Sequence, residues 1–403
     1  MKKYHEFLQL GYLSQDSKLH EYSKGFNENI IEMNEVELLN KGFNLFNSNM
    51  EKTLEKQNAI VPISGGLDSR LILSSVLESK NADEINTITF GTPGSLDYEI
   101  GNKIAKKLGT KHTSINIKKL EFEISELYNF ATEIENPVVM FHNLPKKLFD
   151  YGDNSVLLSG YLGDVISGKR LDYEEAESWY KEKYNYFKWM TNRHSFKVSN
   201  ECLLNELAEI NEYQNVDNLT KKEVIFIKEH NEKLNRYQVM GNIKNLETPF
   251  FNTEFMNFLI SLPKELRRDQ KYYKDLIFKK YKNGLTEIPV KNFYGSKFSS
   301  STLIKNFNRN KHAIFNRLSK KINFVTNPYV NYIDFNFKLK NDYKFKHLIL
   351  ELLNSLKVRE IGTYQHECVR LIREINENKV KNPYDFLLLA SLEIYIRVER
   401  IKL

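Results

Sequence analysis

Short apolar runs alternate with amphipathic stretches in the first half of the chain. The runs have the length of buried strands, and the stretches between them place apolar residues at three- and four-residue steps, as one face of a helix does. The predicted strands span residues 59–63, 85–90, 113–117 and 155–159; the predicted helices span 36–54, 70–77, 100–108, 120–133 and 144–151. This alternation indicates a parallel sheet with helices on both faces.

The second half of the chain has a different pattern. After about residue 171, stretches rich in Glu, Lys, Leu and Ile show helical spacing, for example over 224–242 and 250–266. The tail from 347 to 403 is predicted to be helical throughout, with breaks near Gly362 and at Asn382-Pro383. Residues 1–34 are polar and poorly periodic and predict no element. We therefore expect an α/β core followed by a helical lobe.

Three of the predicted strands end in polar or glycine-containing turns. Ser64, Phe90 and Ser159 each stand at the carboxyl end of a predicted strand. Ligands of open parallel sheets bind at this edge, because the strand ends and the helix starts meet there. The three segments are therefore predicted to form one site.

The turn at residues 64–69 has the composition of an anion cradle. Gly65 and Gly66 let backbone N–H groups approach a ligand, Ser64 and Ser69 add hydroxyls, and the following helix directs its positive end to the same place. Asp68 would repel a phosphate unless Mg²⁺ lay between the two. The alternative is an ordinary glycine-containing turn between a strand and a helix.

This turn resembles the nucleotide loop of the N-type ATP pyrophosphatases. Three further regions, in the same order and with similar spacing, resemble the synthetase domain of the asparagine synthetase family. They are residues 89–99 with 107–112, residues 158–164, and residues 247–251 leading into 261–263. The resemblance covers about residues 58–295 and depends on four ordered segments, not on one short motif.

The resemblance implies a fold and a domain arrangement. The fold is the PP-loop type, similar to adenine-nucleotide α-hydrolases: a parallel sheet flanked by helices, with an α-helical C-terminal lobe. The expected divisions are an N-terminal extension with one helix (1–57), the nucleotide-binding α/β core (58–170) and a mainly helical lobe (171–403).

The resemblance also implies an activity, in which ATP is cleaved to AMP and pyrophosphate while a carboxylate is adenylated and then amidated. ATP and Mg²⁺ are the expected cofactors. The residues expected to bind the nucleotide are Ser64, Gly65, Gly66, Asp68, Ser69, Phe90, Gly91, Ser159 and Gly160. Asp68 and Asp164 are the expected metal ligands, although Asp164 has a helix N-cap as its alternative role.

Tyr161 departs from the asparagine synthetase pattern, which has a glutamate at this position. The β-lactam and carbapenam synthetases place a tyrosine here and pair it with an acid, so Tyr161 is a candidate general base. Its acid partner is expected in the helix at 224–242, as Glu229 or Glu232, of which Glu229 is our choice. A phenol needs a lowered pKa to act as a base at neutral pH. The alternative is that Tyr161 only lines the acceptor pocket.

Lys291 matches a family lysine that neutralises charge on pyrophosphate and on the tetrahedral intermediate. The alternative is a solvated lysine in a basic segment. Lys271 and Lys274 match a family lysine-rich helix more loosely, and Arg236 is expected to be structural.

Composition limits the other properties. Of 403 residues, 41% are hydrophobic and no apolar run is long enough to span a membrane, so we expect a cytoplasmic protein without membrane contact. Cys202 and Cys368 lie far apart and have neither metal-ligand nor disulfide spacing.

Residue 2 is Lys2, whereas a glutaminase domain of the family needs a cysteine there. The nitrogen is therefore expected from free ammonia, a separate glutaminase or a substrate amine.

Residues 291–347 carry twelve basic and two acidic side chains together with many aromatic ones. This segment predicts a lysine-rich surface over an aromatic core, a site for an anionic substrate, or a nucleic-acid surface. We expect a small carboxylate acceptor, anionic or nucleotide-linked, from surface-polysaccharide or natural-product biosynthesis, and no nucleic acid. The alternative functions are a tRNA-modifying enzyme with the same loop, or a non-catalytic ATP-binding partner subunit.

Overall fold

The computed structural model describes residues 3–13, 33–55, 57–171, 176–196, 219–239, 241, 243–281, 284–319, 327–359 and 364–402. Cys202 and the predicted break at Gly362 lie outside these residues. Within them, no helix has the length and apolar character that a membrane span requires.

A five-stranded parallel sheet forms the centre of the first half, with strand order β3-β2-β1-β4-β5. Its strands are β1 (Asn58–Pro62), β2 (Asn86–Gly91), β3 (Lys111–Asn116), β4 (Ser155–Leu158) and β5 (Leu246–Glu247). The sheet thus confirms the parallel α/β class predicted from the alternating pattern. Only the two-residue β5 was not predicted, because it is too short to show a period.

Helices connect and flank the strands in the first half of the chain. They are α1 (Lys3–Leu10), α2 (Glu35–Leu54), α3 (Asp68–Ser79), α4 (Leu96–Leu108), α5 (Ile124–Glu133), α6 (Gly163–Ile166) and α7 (Trp179–Thr191). An Asn34 capping box starts α2, Ser95 caps α4, and Gly109 ends α4 in the left-handed conformation.

The second half is helical, as the sequence predicts. The long helix α8 begins as Lys221–Ile225, widens to a π-helix over Phe226–Asn235 and ends as Arg236–Gln238. It is followed by α9 (Thr253–Ser261), α10 (Lys264–Arg267), α11 (Lys271–Asp275, continued as a π-helix over Leu276–Lys280), α12 (Thr302–Ser319), α13 (Phe335–Asn341), α14 (Tyr343–Lys357), α15 (Tyr364–Asn376) and α16 (Pro383–Arg397).

Two local predictions are wrong. Residues 144–151 form only the 3₁₀ turn Lys146–Phe149, because Pro145 starts the segment without an N–H and Gly152 turns the chain with a positive φ. Residues 3–10, for which no element was predicted, form α1. Its half from Phe7 to Leu10 is buried on all sides, so it shows no amphipathic period.

Alternation along the strands divides the core between the two faces of the sheet. Ile60 of β1 packs with Ile88, Ile115 and Leu157 on one face, whereas Ala59 and Val61 face a much larger cluster on the other. That larger cluster runs from Tyr4 to Ile401 and includes side chains of α2, α3, α9, α11 and α14–α16. The helical lobe and the sheet therefore share one continuous apolar core.

Candidate active site

The predicted strand ends meet at one edge of the sheet. The backbone N–H of Ile63 donates to the carbonyl of Ile88 at 2.8 Å, and that of Ser159 donates to the carbonyl of Glu247 at 2.8 Å. Residues following β1, β2, β4 and β5 therefore lie side by side. The convergence predicted from Ser64, Phe90 and Ser159 is confirmed.

A cavity of ≈ 530 Å³ opens at this edge, large enough for a small-molecule substrate. Its wall combines the ends of β2 and β4 with the last turns of α8. The side chains and turns that matter here are Phe90, Ser159, Gly160, Tyr161, Asp164 and Arg236.

The turn after β1 is held by its own hydroxyls. Ser69 Oγ accepts a hydrogen bond from the N–H of Ser64 at 3.2 Å, and Ser64 Oγ accepts one from the N–H of Gly66 at 3.2 Å. A Cβ on Gly66 would meet only Ser64 Oγ, at 3.4 Å. Gly66 therefore leaves its outer side open to a ligand.

Gly65 has a different reason to be glycine. A Cβ there would lie 2.9 Å from Lys291 Cβ and 3.2 Å from the Leu96 carbonyl oxygen. The space that a side chain at residue 65 would occupy is filled by other residues of the protein. Gly65 is therefore needed for packing, whereas we expected both glycines to let a phosphate approach the backbone.

Lys291 lies directly on this turn. Its N–H donates to the Gly65 carbonyl at 2.8 Å, and its ammonium group pairs with Asp97 in the first turn of α4. The buried Arg70 of α3 donates to the carbonyls of Leu285, Ile288 and Pro289, which fixes the segment leading to Lys291. Lys291 is therefore not a free surface lysine, and Asp97 is a contact that the sequence reasoning missed.

Asp68 opens α3 and is enclosed by two glycines of the turn after β4. A Cβ on Gly160 would lie 3.2 Å from Asp68 Cβ, and one on Gly163 would lie 2.7 Å from Asp68 Oδ1. The Tyr273 hydroxyl donates to Asp68 Oδ1 at 2.9 Å. Burial and then the carboxylate of Asp164 raise the pKa of Asp68 to about 7. Tyr273 carried no signal in the sequence pattern.

Asp68 and Asp164 have the chemistry of a Mg²⁺ site that a substrate completes. Two carboxylates close enough to affect each other's charge gain from a cation between them, and both offer hard oxygen ligands. Asp164 also pairs with Lys169 at 3.0 Å. No group of three or more His, Cys, Asp or Glu in the described residues forms a metal cage, so the remaining ligands would have to be phosphate oxygens and water.

Tyr161 lines the cavity, but its phenol hydroxyl is buried. Its hydroxyl makes no hydrogen bond to any described residue, although it is closed off from solvent. Burial and then the charge of Glu232 raise the pKa of Tyr161 well above its ordinary value, while Arg236 opposes this. The lowered pKa that a phenol needs in order to act as a base at neutral pH is therefore not found for Tyr161. The neighbouring Leu162 is left-handed, with φ of 73°, a strain found more often at functional sites.

Of the two candidate acids on α8, Glu232 interacts with Tyr161. Glu229, our first choice, is instead ion-paired with Lys233 at 2.9 Å and with Lys183 at 3.9 Å, and all three side chains are buried. The correction has a geometric reason. Glu229 and Glu232 both lie in the π-helical part of α8, so the two side chains, three residues apart, leave the helix in different directions.

The end of β2 is partly covered by the segment after α12. The Asn331 amide oxygen accepts from the N–H of Thr92 at 3.0 Å and from Ser95 Oγ at 2.7 Å, and a Cβ on Gly91 would overlap it. Gly91 is thus covered by Asn331, whereas Phe90 lines the cavity. No sequence pattern pointed to Asn331.

The other basic residues considered in the sequence analysis lie at different places relative to the cavity. Lys274 bonds to the carbonyl of Asp269 and lies 5.7 Å from the Phe293 ring, so it contacts the Lys291 turn, whereas Lys271 contributes nothing to the cavity. Arg236, expected to be structural, lines the cavity, and its charge opposes the rise in the pKa of Tyr161.

Comparison with known proteins agrees with this geometry. The model of the asparagine synthase family matches residues 53–283, which contain the sheet, the nucleotide turn and the cavity wall. No curated protein matches the chain significantly. Because the family match covers more than half of the chain, this protein belongs to the asparagine synthase family of ATP-dependent amide ligases.

Proposed function

We propose that this protein adenylates a carboxylate with ATP, releases pyrophosphate, and transfers ammonia or an amine to the acyl-adenylate. The observation that carries the proposal is the cavity in which Ser159, Gly160, Tyr161 and Asp164 lie beside the turn of residues 64–69. A carboxylate oxygen attacks the α-phosphorus, and the bond to the bridging oxygen breaks. The amine nitrogen then attacks the acyl carbon, and AMP leaves.

The nucleotide is assigned to the turn and the adjoining strand ends. Ser64, Gly66 and Ser69 face the phosphates at the N-terminus of α3, where the helix dipole favours negative charge. Phe90, Ser159 and Gly160 line the cavity on the adenosine side. Asp68 and Asp164 would hold Mg²⁺, which neutralises phosphate charge when bound.

Lys291 stabilises negative charge that develops on the leaving pyrophosphate. Its backbone is tied to Gly65, and its ammonium group is restrained by Asp97 next to the turn. Because this cation is already in position, it stabilises the developing negative charge without a free-energy cost of reorganisation.

Tyr161 and Glu232 accept the proton that the attacking amine loses. Because burial and the charge of Glu232 favour the neutral phenol, the proton ends on the Glu232 carboxylate and Tyr161 stays protonated.

The acceptor is an anionic carboxylate compound. At the cavity, Asp164 is paired with Lys169, and Glu135 accepts from the Tyr237 hydroxyl at 3.2 Å. Arg236 and Lys244 also line it, and among the described residues neither has an acidic ion-pair partner. These two cations are available to pair with an acidic group of the acceptor in addition to the reacting carboxylate. A sugar acid or a natural-product precursor meets this description, and nitrogen comes from ammonia, a separate glutaminase or a substrate amine.

Carboxylate-dependent exchange of labelled pyrophosphate into ATP, followed by AMP analysis, tests the proposal. Fractionated carboxylate metabolites serve as substrates, with Asp68→Ala as the inactive variant and the exposed Asp83→Ala as its control. We expect exchange and AMP with the native protein and Asp83→Ala only. Formation of ADP, or ATP binding without exchange for every fraction, would overturn it.

A further inference from the structure

The helix α12 turns its polar side toward the protein and its apolar side toward solvent. On the inner side, Lys305 Nζ donates to the Phe298 carbonyl at 3.0 Å, and Asn308 Nδ2 donates to Ser296 Oγ at 2.8 Å. Further along, Asn316 Oδ1 accepts from Asn327 Nδ2 at 2.6 Å, and the ring of His312 lies 5.9 Å from that of Tyr329. No residue of this helix is buried.

The outer side consists of large apolar side chains. Leu303 is 81% exposed, Phe307 69% and Ile314 58%, and the stripe is completed by Ile304, Phe315 and Leu318. These positions recur at three-, four- and seven-residue steps, so they share one face of the helix. A contiguous exposed apolar face on an otherwise well-packed protein marks an interaction surface.

The charge of α12 identifies what this surface fits. The helix carries Lys305, Arg309, Lys311 and Arg317 and no acidic residue. Lys311 stands four residues from both Phe307 and Phe315, where its long stem can lie along the apolar stripe while its ammonium reaches outward. Apolar side chains combined with unopposed basic ones are typical of helices that lie in the interface of an anionic bilayer.

We propose that α12 binds an anionic membrane surface peripherally, with Leu303, Phe307 and Ile314 entering the acyl boundary. The exposed basic side chains of Arg309, Lys311 and Arg317 contact lipid headgroups. The proposal is independent of the ligase activity. The expectation of no membrane contact depended on the lack of a long apolar run, which concerns spanning helices and not helices that lie on the surface.

Other occupants fit less well. A second copy paired across a two-fold axis would bring the same basic side chains against each other. A nucleic acid offers phosphates to the cations and bases to the two Phe rings, but it has no apolar counterpart for the aliphatic Leu303, Ile304, Ile314 and Leu318.

Sedimentation with lipid vesicles tests the proposal. We expect the full-length protein to sediment with vesicles of phosphatidylcholine and phosphatidylglycerol in equal amounts, to remain in solution with pure phosphatidylcholine, and to be released by high salt. The double variant Phe307→Ser/Ile314→Ser should lose on the order of tenfold or more of this binding. Val36→Ser/Val369→Ser removes two comparably exposed apolar side chains elsewhere and should bind like the native protein.

Each outcome decides the matter. Absence of binding to the anionic vesicles, or equal binding by both double variants when both keep the native melting temperature, overturns the proposal. A native dimer in light scattering that Phe307→Ser/Ile314→Ser dissolves also overturns it and assigns the face to a second copy.

Discussion

The N–H of Lys291 donates to the carbonyl of Gly65 at 2.8 Å, and the Cα of Gly65 lies so close to Lys291 that a Cβ there would be 2.9 Å from Lys291 Cβ. The nucleotide turn and the proposed charge-stabilising lysine, which are far apart in the sequence, are therefore one packed unit. Glycine is required at residue 65 because a side chain there would collide with Lys291. Glycine at residue 66 leaves space in which a ligand can approach the backbone.

Alanine at the two glycines should separate these roles. Gly65→Ala must displace Lys291 or the Leu96 carbonyl, so we expect it to lower the free energy of unfolding by about 1–3 kcal/mol. Gly66→Ala meets only Ser64 Oγ and should leave the melting temperature unchanged while weakening nucleotide binding. Thermal denaturation and ATP titration measure both. Equal loss of stability in the two variants would contradict this assignment.

Removing the ammonium of Lys291 should affect turnover more than binding. We expect Lys291→Met to lower kcat by about 10²–10³-fold with a smaller change in KM for ATP, because the charge it stabilises develops only during the reaction. Lys297→Met is the control, since Lys297 forms an exposed pair with Glu287 at 2.7 Å on the same turn. Steady-state kinetics would refute the role if both variants behaved alike.

The two glutamates of α8 should give opposite phenotypes. Glu229→Gln removes a buried carboxylate that pairs with Lys183 and Lys233 and is expected to lower the free energy of unfolding by about 3–5 kcal/mol. Glu232→Gln should mainly lower turnover, by about 10²-fold, because it removes the proton acceptor next to Tyr161. Denaturation and kinetics on both variants decide this. A catalytic defect confined to Glu229→Gln in folded protein would restore the first choice.

Tyr161→Phe should lower turnover without a cost in stability. The Tyr161 hydroxyl is buried without a hydrogen-bond partner among the described residues, so its removal takes away an unmet hydrogen bond. We expect the melting temperature to stay equal or rise while amide formation falls. If Tyr161 only lines the pocket, amide formation by Tyr161→Phe will match the native protein, and product analysis will show it.

Asp68 should make the metal-free protein less stable as pH rises. Its folded pKa of about 7 lies above the unfolded value of about 3.9, so its contribution is favourable at acid pH and is lost as pH rises through 7. Asp68→Asn should therefore melt like the native protein near pH 4 and at a higher temperature at pH 8. Scanning calorimetry in the presence of chelator measures the difference. A constant offset across this range would contradict the raised pKa.

Much of the fold follows from local sequence patterns. The hydrophobic runs of β1–β4, the periodic faces of α2–α5 and the caps at Asn34 and Ser95 act over a few residues, so they can be read along the chain. The same holds for the nucleotide turn, since its glycines and hydroxyls are contiguous. The four ordered segments were sufficient to identify the asparagine synthase family.

Only the tertiary structure decided which distant side chains complete the site. Tyr273 on Asp68, Asp97 on Lys291 and Asn331 on the end of β2 join residues with no fixed sequence spacing. The position of α8 places the charge of Glu232, and not that of Glu229, where it raises the pKa of Tyr161. The packing of α12 by its polar side leaves its apolar side exposed. The hydrophobic periodicity of a sequence predicts whether a segment forms a helix or a strand. Which face of that segment is buried, and which charged side chains come together, depends on its contacts with the rest of the chain.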